Sequence, residues 1–161
     1  MKYPVFGLAA LCAAATPAAM AATATGTLNV SITIAATCTV ISASSIDFGT
    51  VTAIGSNLDQ NSSLTVNCSN ATPYNVGLSA GGGSGATVAT RKMSNAGNEV
   101  SYSLYRDAAR TQIWGETIGT NTVAGTGTGS NQVITIYGRA PVQPTPPAGS
   151  YSDSVTVTIT Y

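Results

Sequence analysis

Residues 25–40 read Thr25-Gly-Thr-Leu-Asn-Val-Ser-Ile-Thr-Ile-Ala-Ala-Thr-Cys-Thr-Val40, and this stretch decides the fold. From Thr27 to Ile34, apolar side chains alternate strictly with short polar ones. That period of two is typical of a strand with one buried face, and β-branched residues suit such a strand. The stretch therefore predicts an amphipathic strand near the start of the chain. Its apolar members are Leu28, Val30, Ile32 and Ile34.

The segment before this strand has the features of a signal peptide. Lys2 supplies a positive start, and Val5 to Ala15 is an apolar run that is too short to span a bilayer. Ala19-Met20-Ala21 then fits the small-x-small pattern of a cleavage site. We expect cleavage after Ala21, export of the remaining chain and no membrane span in it.

The composition is nearly free of charge and excludes several classes of function. Charged residues make up 7% of the chain, and loss of Lys2 leaves a formal charge of −1. No basic face for nucleic acid is visible. The chain has no histidine, its six acidic residues are scattered singly, and it carries no phosphate-binding loop. We therefore expect that the protein is not an enzyme, binds no cofactor and no metal, and has no nucleic-acid partner.

Two cysteines, Cys38 and Cys68, remain once Cys12 is removed with the signal peptide. In an exported chain, one such pair predicts one disulfide. The alternative is a pair of free buried thiols.

Short segments of alternating hydrophobicity recur along the rest of the chain. Turn-forming residues separate them, residues 119–131 have the composition of a loop, and the four prolines of Pro141–Gly149 predict an exposed connection. No helix of useful length is indicated. The pattern predicts an antiparallel β-sandwich or barrel. The segments are Ile46–Val51, Ser63–Cys68, Tyr74–Leu78, Val100–Leu104, Val133–Tyr137 and Val155–Tyr161.

Few side chains outside these segments suggest a site. Arg91-Lys92 is interpreted as a loop charge, and the turn of Arg106, Asp107 and Arg110 as solvated, with a weak surface ion pair. Trp114 is expected to pack in the core or at its rim, and a sugar-stacking platform is the alternative.

Four stretches of the chain resemble the spore coat protein U domain family, which includes shaft subunits of Csu-type archaic chaperone–usher pili. Each stretch alone is unspecific, but together they span nearly the whole chain after Ala21 in the order of the family. They are Gly26–Ile34 with Cys38-Thr-Val, Tyr102–Arg110 with Trp114-Gly115, Ile136–Arg139, and Ala148–Tyr161.

The resemblance implies an incomplete immunoglobulin-like antiparallel β-sandwich that is completed by donor-strand complementation, a known form of β-strand addition. Residues 1–21 would be the signal peptide, 22–36 the donor segment and 37–161 the pilin domain. Leu28, Val30, Ile32 and Ile34 would enter the groove of a neighbouring copy, and Gly26 would lie where that groove admits little bulk. Cys38 and Cys68 would join the first two strands of the domain. A periplasmic chaperone would pair with Val155, Val157, Ile159 and Tyr161.

The implied function is that of a structural subunit of an extracellular pilus. Its partners would be other subunits joined head to tail, the chaperone and an outer-membrane usher. The protein would pass through the periplasm to the cell surface and support adhesion and biofilm formation. Two alternatives stay open: a secreted carbohydrate-binding sandwich whose N-terminal strand lies in its own sheet, and a cell or spore coat protein.

Overall fold

The computed structural model describes residues 20–161, and these residues form eight β-strands and no helix. The predicted signal peptide, residues 1–21, falls outside the described residues except for its last two positions. The strands are β1 (Cys38–Ala43), β2 (Leu58–Cys68), β3 (Pro73–Leu78), β4 (Arg91–Asn95), β5 (Asn98–Tyr105), β6 (Val123–Thr126), β7 (Asn131–Ala140) and β8 (Val157–Thr160).

The strands form two antiparallel sheets. One has five strands in the order β1-β2-β7-β5-β4, and the other has three in the order β6-β3-β8. The β2–β7 and β3–β8 pairs correspond to the central pairs of an immunoglobulin-like sandwich. The all-β, antiparallel prediction is therefore confirmed. Core side chains from both sheets include Leu64, Val66, Val76, Leu78 and Leu104, each at most 5% exposed.

The chain divides into two units, one that ends at Thr33 and one from Ile34 to Tyr161. All eight strands belong to the second unit. In the described part of the first unit, no residue belongs to a strand, although apolar and polar residues alternate strictly from Thr27 to Thr33. Within the described residues, this segment therefore forms no β-ladder.

A disulfide joins Cys38 of β1 to Cys68 of β2, which confirms the predicted bond. The two residues are register partners in the β1–β2 ladder, and Cys68 is fully buried. Next to them, the Ser69 amide donates to the Thr37 carbonyl over 2.9 Å. The start of the domain is therefore fixed both covalently and through the backbone.

Arg91 is not a loop charge, and that interpretation is wrong. It begins β4 and is fully buried. Its guanidinium donates to four backbone carbonyls at 2.8–2.9 Å, so nearly every N–H has a partner although no carboxylate bonds to it. Burial lowers the pKa of Arg91, and nearby Tyr102, Asp153 and Glu116 oppose that shift. The four carbonyls belong to Ser79, Val88, Leu78 and Trp114.

Two secondary-structure predictions also fail, for local reasons. Ile46–Val51 forms no strand, because the Asp47 carboxylate accepts the Gly49 amide and Gly49 has a φ of +79°. This Asx-type turn breaks the extended conformation. Conversely, the predicted loop 119–131 contains β6, whose residues Val-Ala-Gly-Thr pair with β3 despite having little apolar surface.

The turn after β5 is held by hydrogen bonds to backbone rather than by an ion pair of its own. Arg106 donates to the carbonyls of Thr120 and Thr122, each over 3.1 Å. Arg110 donates to the Gly138 carbonyl and lies 3.4 Å from the Asp59 carboxylate. The predicted ion pair within the turn is therefore replaced by contacts to the loop before β6 and to β7 and β2.

Replacing Arg91 with Met tests the buried guanidinium. The change removes the donor from four backbone carbonyls, of which those of Leu78 and Trp114 are buried, and breaking such a charged network costs about 3–5 kcal/mol. Urea unfolding monitored by the single, fully buried Trp114 should show this loss. Lys92→Met is the matched control, because the Lys92–Glu99 pair is part-exposed and contributes about 0–1 kcal/mol. Equal losses in the two variants would contradict this role of Arg91.

Removal of the disulfide by a Cys38→Ala, Cys68→Ala double substitution should also lower stability. The cysteines are 30 residues apart, and closing a loop of that length contributes about 3.5–4 kcal/mol in the chain-entropy model. The measurement is the same urea midpoint, compared with that of the wild-type chain under dithiothreitol. If the variant is as stable as the oxidised wild type, the hydrogen bonds around Thr37 hold the start of the domain without the disulfide, and the expected contribution of the disulfide is contradicted.

Candidate functional site: an open groove between two sheet edges

Within residues 20–161 the two sheets end in four edge strands, β1, β4, β6 and β8, and of these β1 and β8 lie close together. β1 is hydrogen-bonded only to β2, and β8 is hydrogen-bonded only to β3. The two strands contact each other although they belong to different sheets. An unpaired edge offers free N–H and C=O groups to another strand. One side of the sandwich therefore has two unpaired edges that lie close together.

Side chains that face the core are exposed along these edges. Val40 is the register partner of fully buried Val66 and so points to the same side of the sheet, yet it is 41% exposed. On β8, Val157 and Ile159 are partners of buried Leu78 and Val76, yet they are only half-buried. The core is thus incompletely covered where β1 and β8 end their sheets.

Two adjoining cavities follow this uncovered core, and we call them together the open groove. The smaller one, about 360 Å³, lies between residues 43–48 and 151–157. The larger one, about 790 Å³, lies between residues 46–54 and 145–151. Both are lined by Ile46, Phe48, Met93 and Tyr151. The floor of the smaller cavity includes the core residues Leu78, Leu104 and Ile136.

The far end of the groove is closed by hydrogen bonds. The Ile54 amide donates to the Thr145 hydroxyl over 2.9 Å, and the Gln143 amide donates to the Ile54 carbonyl over 3.3 Å. These bonds join the segment after β1 to the proline-rich connection between β7 and β8. The predicted connection therefore does more than span two strands, because it forms a wall of the open groove.

Tyr102 and Asp153 form a polar contact beside the smaller cavity. The Tyr102 hydroxyl donates to Asp153 Oδ2 over 2.7 Å, and both residues line that cavity. Burial raises the pKa of Tyr102, and the hydrogen bond to Asp153 adds to the shift. The phenol therefore remains a protonated donor over the physiological range.

The predicted donor residues are all exposed. Leu28, Val30, Ile32 and Ile34 have 85–87% of their surface accessible. A Cβ added at Gly26 would have no atom within 4 Å, so the structure contains no crowded site that would require glycine there. The roles assigned to these five residues therefore remain predictions.

The C-terminal residues are only partly in a strand. β8 contains Val157 and Ile159, while Val155 precedes it and Tyr161 follows it with 59% of its surface exposed. Val155 and Val157 line the smaller cavity. The structure thus brings Val155 and Val157, but not Ile159 and Tyr161, to the open groove, and the pairing of all four with a chaperone remains a prediction.

Other chemistry has no support among the described residues. Trp114 is fully buried and its indole N–H donates to the Val76 carbonyl over 2.8 Å, so it offers no platform for a sugar. Within residues 20–161, no three His, Cys, Asp or Glu side chains come together as metal ligands. The same part of the chain contains no helix with the length and hydropathy of a membrane span.

Sequence reasoning missed the groove walls Ile46, Phe48 and Met93, as well as Asp153. Ile46 and Phe48 were assigned to a strand, and their alternation correctly signals that they share a face. Asp153 had no signal of its own, because a single acidic residue between two serines has the composition of a turn.

Comparisons with known proteins include a relative from another organism and a solved structure with a similar fold. The chain is 35% identical over 158 residues to "Protein U" of Myxococcus xanthus, which covers 89% of this chain and 88% of that protein. Its fold is similar to that in the crystal structure of the CsuC–CsuE chaperone–tip adhesion subunit pre-assembly complex from archaic chaperone–usher Csu pili of Acinetobacter baumannii. The TM-score is 0.57 and the identity 23%, over 80% of this chain and 40% of that one.

The family model that matches the chain is the Spore Coat Protein U domain, over residues 24–158. The match contains all eight strands except the last two residues of β8, and it contains the alternating segment from Leu28 to Ile34. This chain belongs to the Spore Coat Protein U domain family.

Proposed function

We propose that the protein is a structural subunit of an extracellular chaperone–usher pilus. Residues 22–36 of one copy enter the open groove of the next copy and pair with the free edge of β8. The observation that carries this proposal is the open groove itself, whose smaller cavity has core residues on its floor and is lined by Val155 and Val157 beside the unpaired edge of β8. The link is head to tail, so repetition generates an open fibre.

The donor segment matches the groove in chemistry. The groove floor is apolar, and one face of the donor segment consists of four exposed aliphatic side chains. Burying these four side chains contributes about 6–12 kcal/mol, which offsets much of the cost of ordering the segment. Pairing with the edge of β8 adds backbone hydrogen bonds and fixes the direction of the strand.

The domain boundaries follow from this assignment. Residues 1–21 are the signal peptide, 22–36 the donor segment and 37–161 the pilin domain. The compact unit that starts at Ile34 supports a boundary in this region. The hydrogen bonds of Thr37 and the disulfide at Cys38 support a fixed start of the domain.

A periplasmic chaperone and an outer-membrane usher are the further partners. The solved structure with a similar fold is a complex of a chaperone with a tip adhesion subunit, which supports a chaperone as a partner. The chaperone would cover the open groove before assembly and pair with Val155, Val157, Ile159 and Tyr161. The protein would then pass from the periplasm to the cell surface, where the pilus supports adhesion and biofilm formation.

A coat protein is the second candidate, because the description of the family refers to a spore coat. The same strand exchange would join subunits in a coat. The location of the polymer separates the two functions: immunogold labelling should mark thin surface fibres if the protein is a pilus subunit and a continuous layer if it is a coat protein.

Ile32→Asp tests whether the donor segment joins subunits. The change places a charge on the apolar face, and burial of an unpaired carboxylate in the groove is strongly unfavourable. Protein from the periplasm, run on an unheated denaturing gel, should give a ladder of heat-dissociable multimers for the wild type and monomers for the variant.

Thr33→Asp is the matched control for this gel, because it adds the same charge to the polar face of the same segment. The control should retain the ladder. If the ladder persists in Ile32→Asp, or if the wild type forms folded monomers in the absence of a chaperone, the donor role is wrong.

A further inference from the structure

The five residues before β8 are attached to the rest of the fold at several points. Ser152 exchanges two backbone hydrogen bonds with Ser94 of β4, of 2.9 and 3.3 Å. Thr156 donates to the Ser79 hydroxyl over 2.9 Å and accepts from the Ser79 amide over 3.0 Å. Asp153 lies between these two attachments. The approach to β8 is thus fixed before the strand begins.

Asp153 uses both carboxylate oxygens in this attachment. Oδ2 accepts the Tyr102 hydroxyl over 2.7 Å, and Oδ1 accepts the amides of Gly82 and Ser154 over 2.7 and 2.8 Å. A Cβ added at Gly81 would lie 2.0 Å from Oδ2, and Gly81 has a φ of +82°. The glycine loop is therefore shaped to admit this carboxylate.

The position of the β8 edge depends strongly on these attachments. β8 has only four residues and only one neighbouring strand among the described residues. A short edge strand with one ladder separates easily from its sheet. Tyr102 belongs to the other sheet and is 6% exposed, so it offers a rigid anchor for the segment that leads into β8.

We infer that the Tyr102–Asp153 hydrogen bond is a positioning element, which holds the free edge of β8 ready to pair with residues 22–36 of a second copy. This inference rests on the proposed function. Tyr102 and Asp153 both line the smaller cavity, but the inference assigns them to holding β8 in place rather than to contact with the incoming strand.

The inference has a kinetic consequence. If β8 is in place in only a fraction of molecules, the incoming strand associates more slowly in proportion to that fraction. Once the strand is bound, it holds β8 itself through a second ladder, so its dissociation should change little. A residue that only stabilises the fold would not change the association rate while the chain stays folded.

The experiment measures capture of a synthetic peptide with the sequence of residues 22–36. The full chain carries Ile32→Asp so that copies do not join one another, and anisotropy of a labelled peptide reports association and dissociation. Addition of Tyr102→Phe should slow association by about ten-fold and change dissociation by less than about two-fold. Asp153→Ala should have a similar effect, and the double variant should associate no more slowly than Asp153→Ala.

Tyr74→Phe is the matched control, because Tyr74 is equally buried and lines neither cavity. It should leave both rates unchanged. The inference is overturned if Tyr102→Phe associates as fast as its parent. It is also overturned if the fold-slowing of the double variant equals the product of the fold-slowings of the two single variants. If the parent chain captures no peptide at all, the proposed function fails instead.

Discussion

The core at the edge of a β-sandwich is shielded from water only where a strand covers it. Beside β8, no strand of residues 20–161 covers the open groove. The accessibility of core-facing side chains and the unpaired backbone of the edges follow from this uncovered groove. Core-facing valines of β1 and β8 remain accessible, and the backbone of both edges lacks partners. Apolar side chains on the core-facing side of these strands are therefore left in contact with water. A strand supplied by another molecule removes both costs together, because it buries the apolar side chains and pairs the backbone.

A domain with an uncovered side needs other means to hold its sheets together. The buried Arg91 joins the end of β3 to Trp114 and Val88 by donating to four carbonyls, which no apolar side chain could do. The disulfide fixes β1, whose core-facing side is poorly covered, to the well-buried β2. These contacts stabilise the sandwich without occupying the open groove, although Leu78, whose carbonyl accepts from Arg91, also lines the smaller cavity.

Much of this architecture is predictable from hydrophobic periodicity. β2, β3, β5 and β7 alternate clearly because one face of each strand packs in the core, and the disulfide follows from export and cysteine count. β6 was missed because its pairing uses backbone groups and its residues are small. The prediction of a strand at Ile46–Val51 is wrong because the residues alternate, but Asp47 and Gly49 turn the backbone. The open groove itself depends on which edges remain unpaired, and the sequence does not specify pairing.

The charged residues show a second limit of sequence reasoning. Arg91 lies two positions before Met93, so both point to the same side of β4, but an arginine is expected at the surface. Its burial is explained by four carbonyls, three of which, those of Leu78, Ser79 and Trp114, are distant in the sequence. Arg106 likewise donates to the loop before β6, and Arg110 to Gly138 of β7, rather than to the neighbouring Asp107. Long-range contacts of this kind leave no periodic signal in the sequence.

The most direct test of strand exchange mixes two defective variants. Ile32→Asp removes a usable donor segment, and Met93→Trp fills the groove at a residue that lines both cavities. Met93→Leu is the control with an open groove. The account predicts that each defective variant alone gives monomers on an unheated gel, and that their mixture gives dimers and nothing larger, because only one donor and one groove remain. Longer ladders from the mixture, or no dimers from two folded variants, would contradict the account.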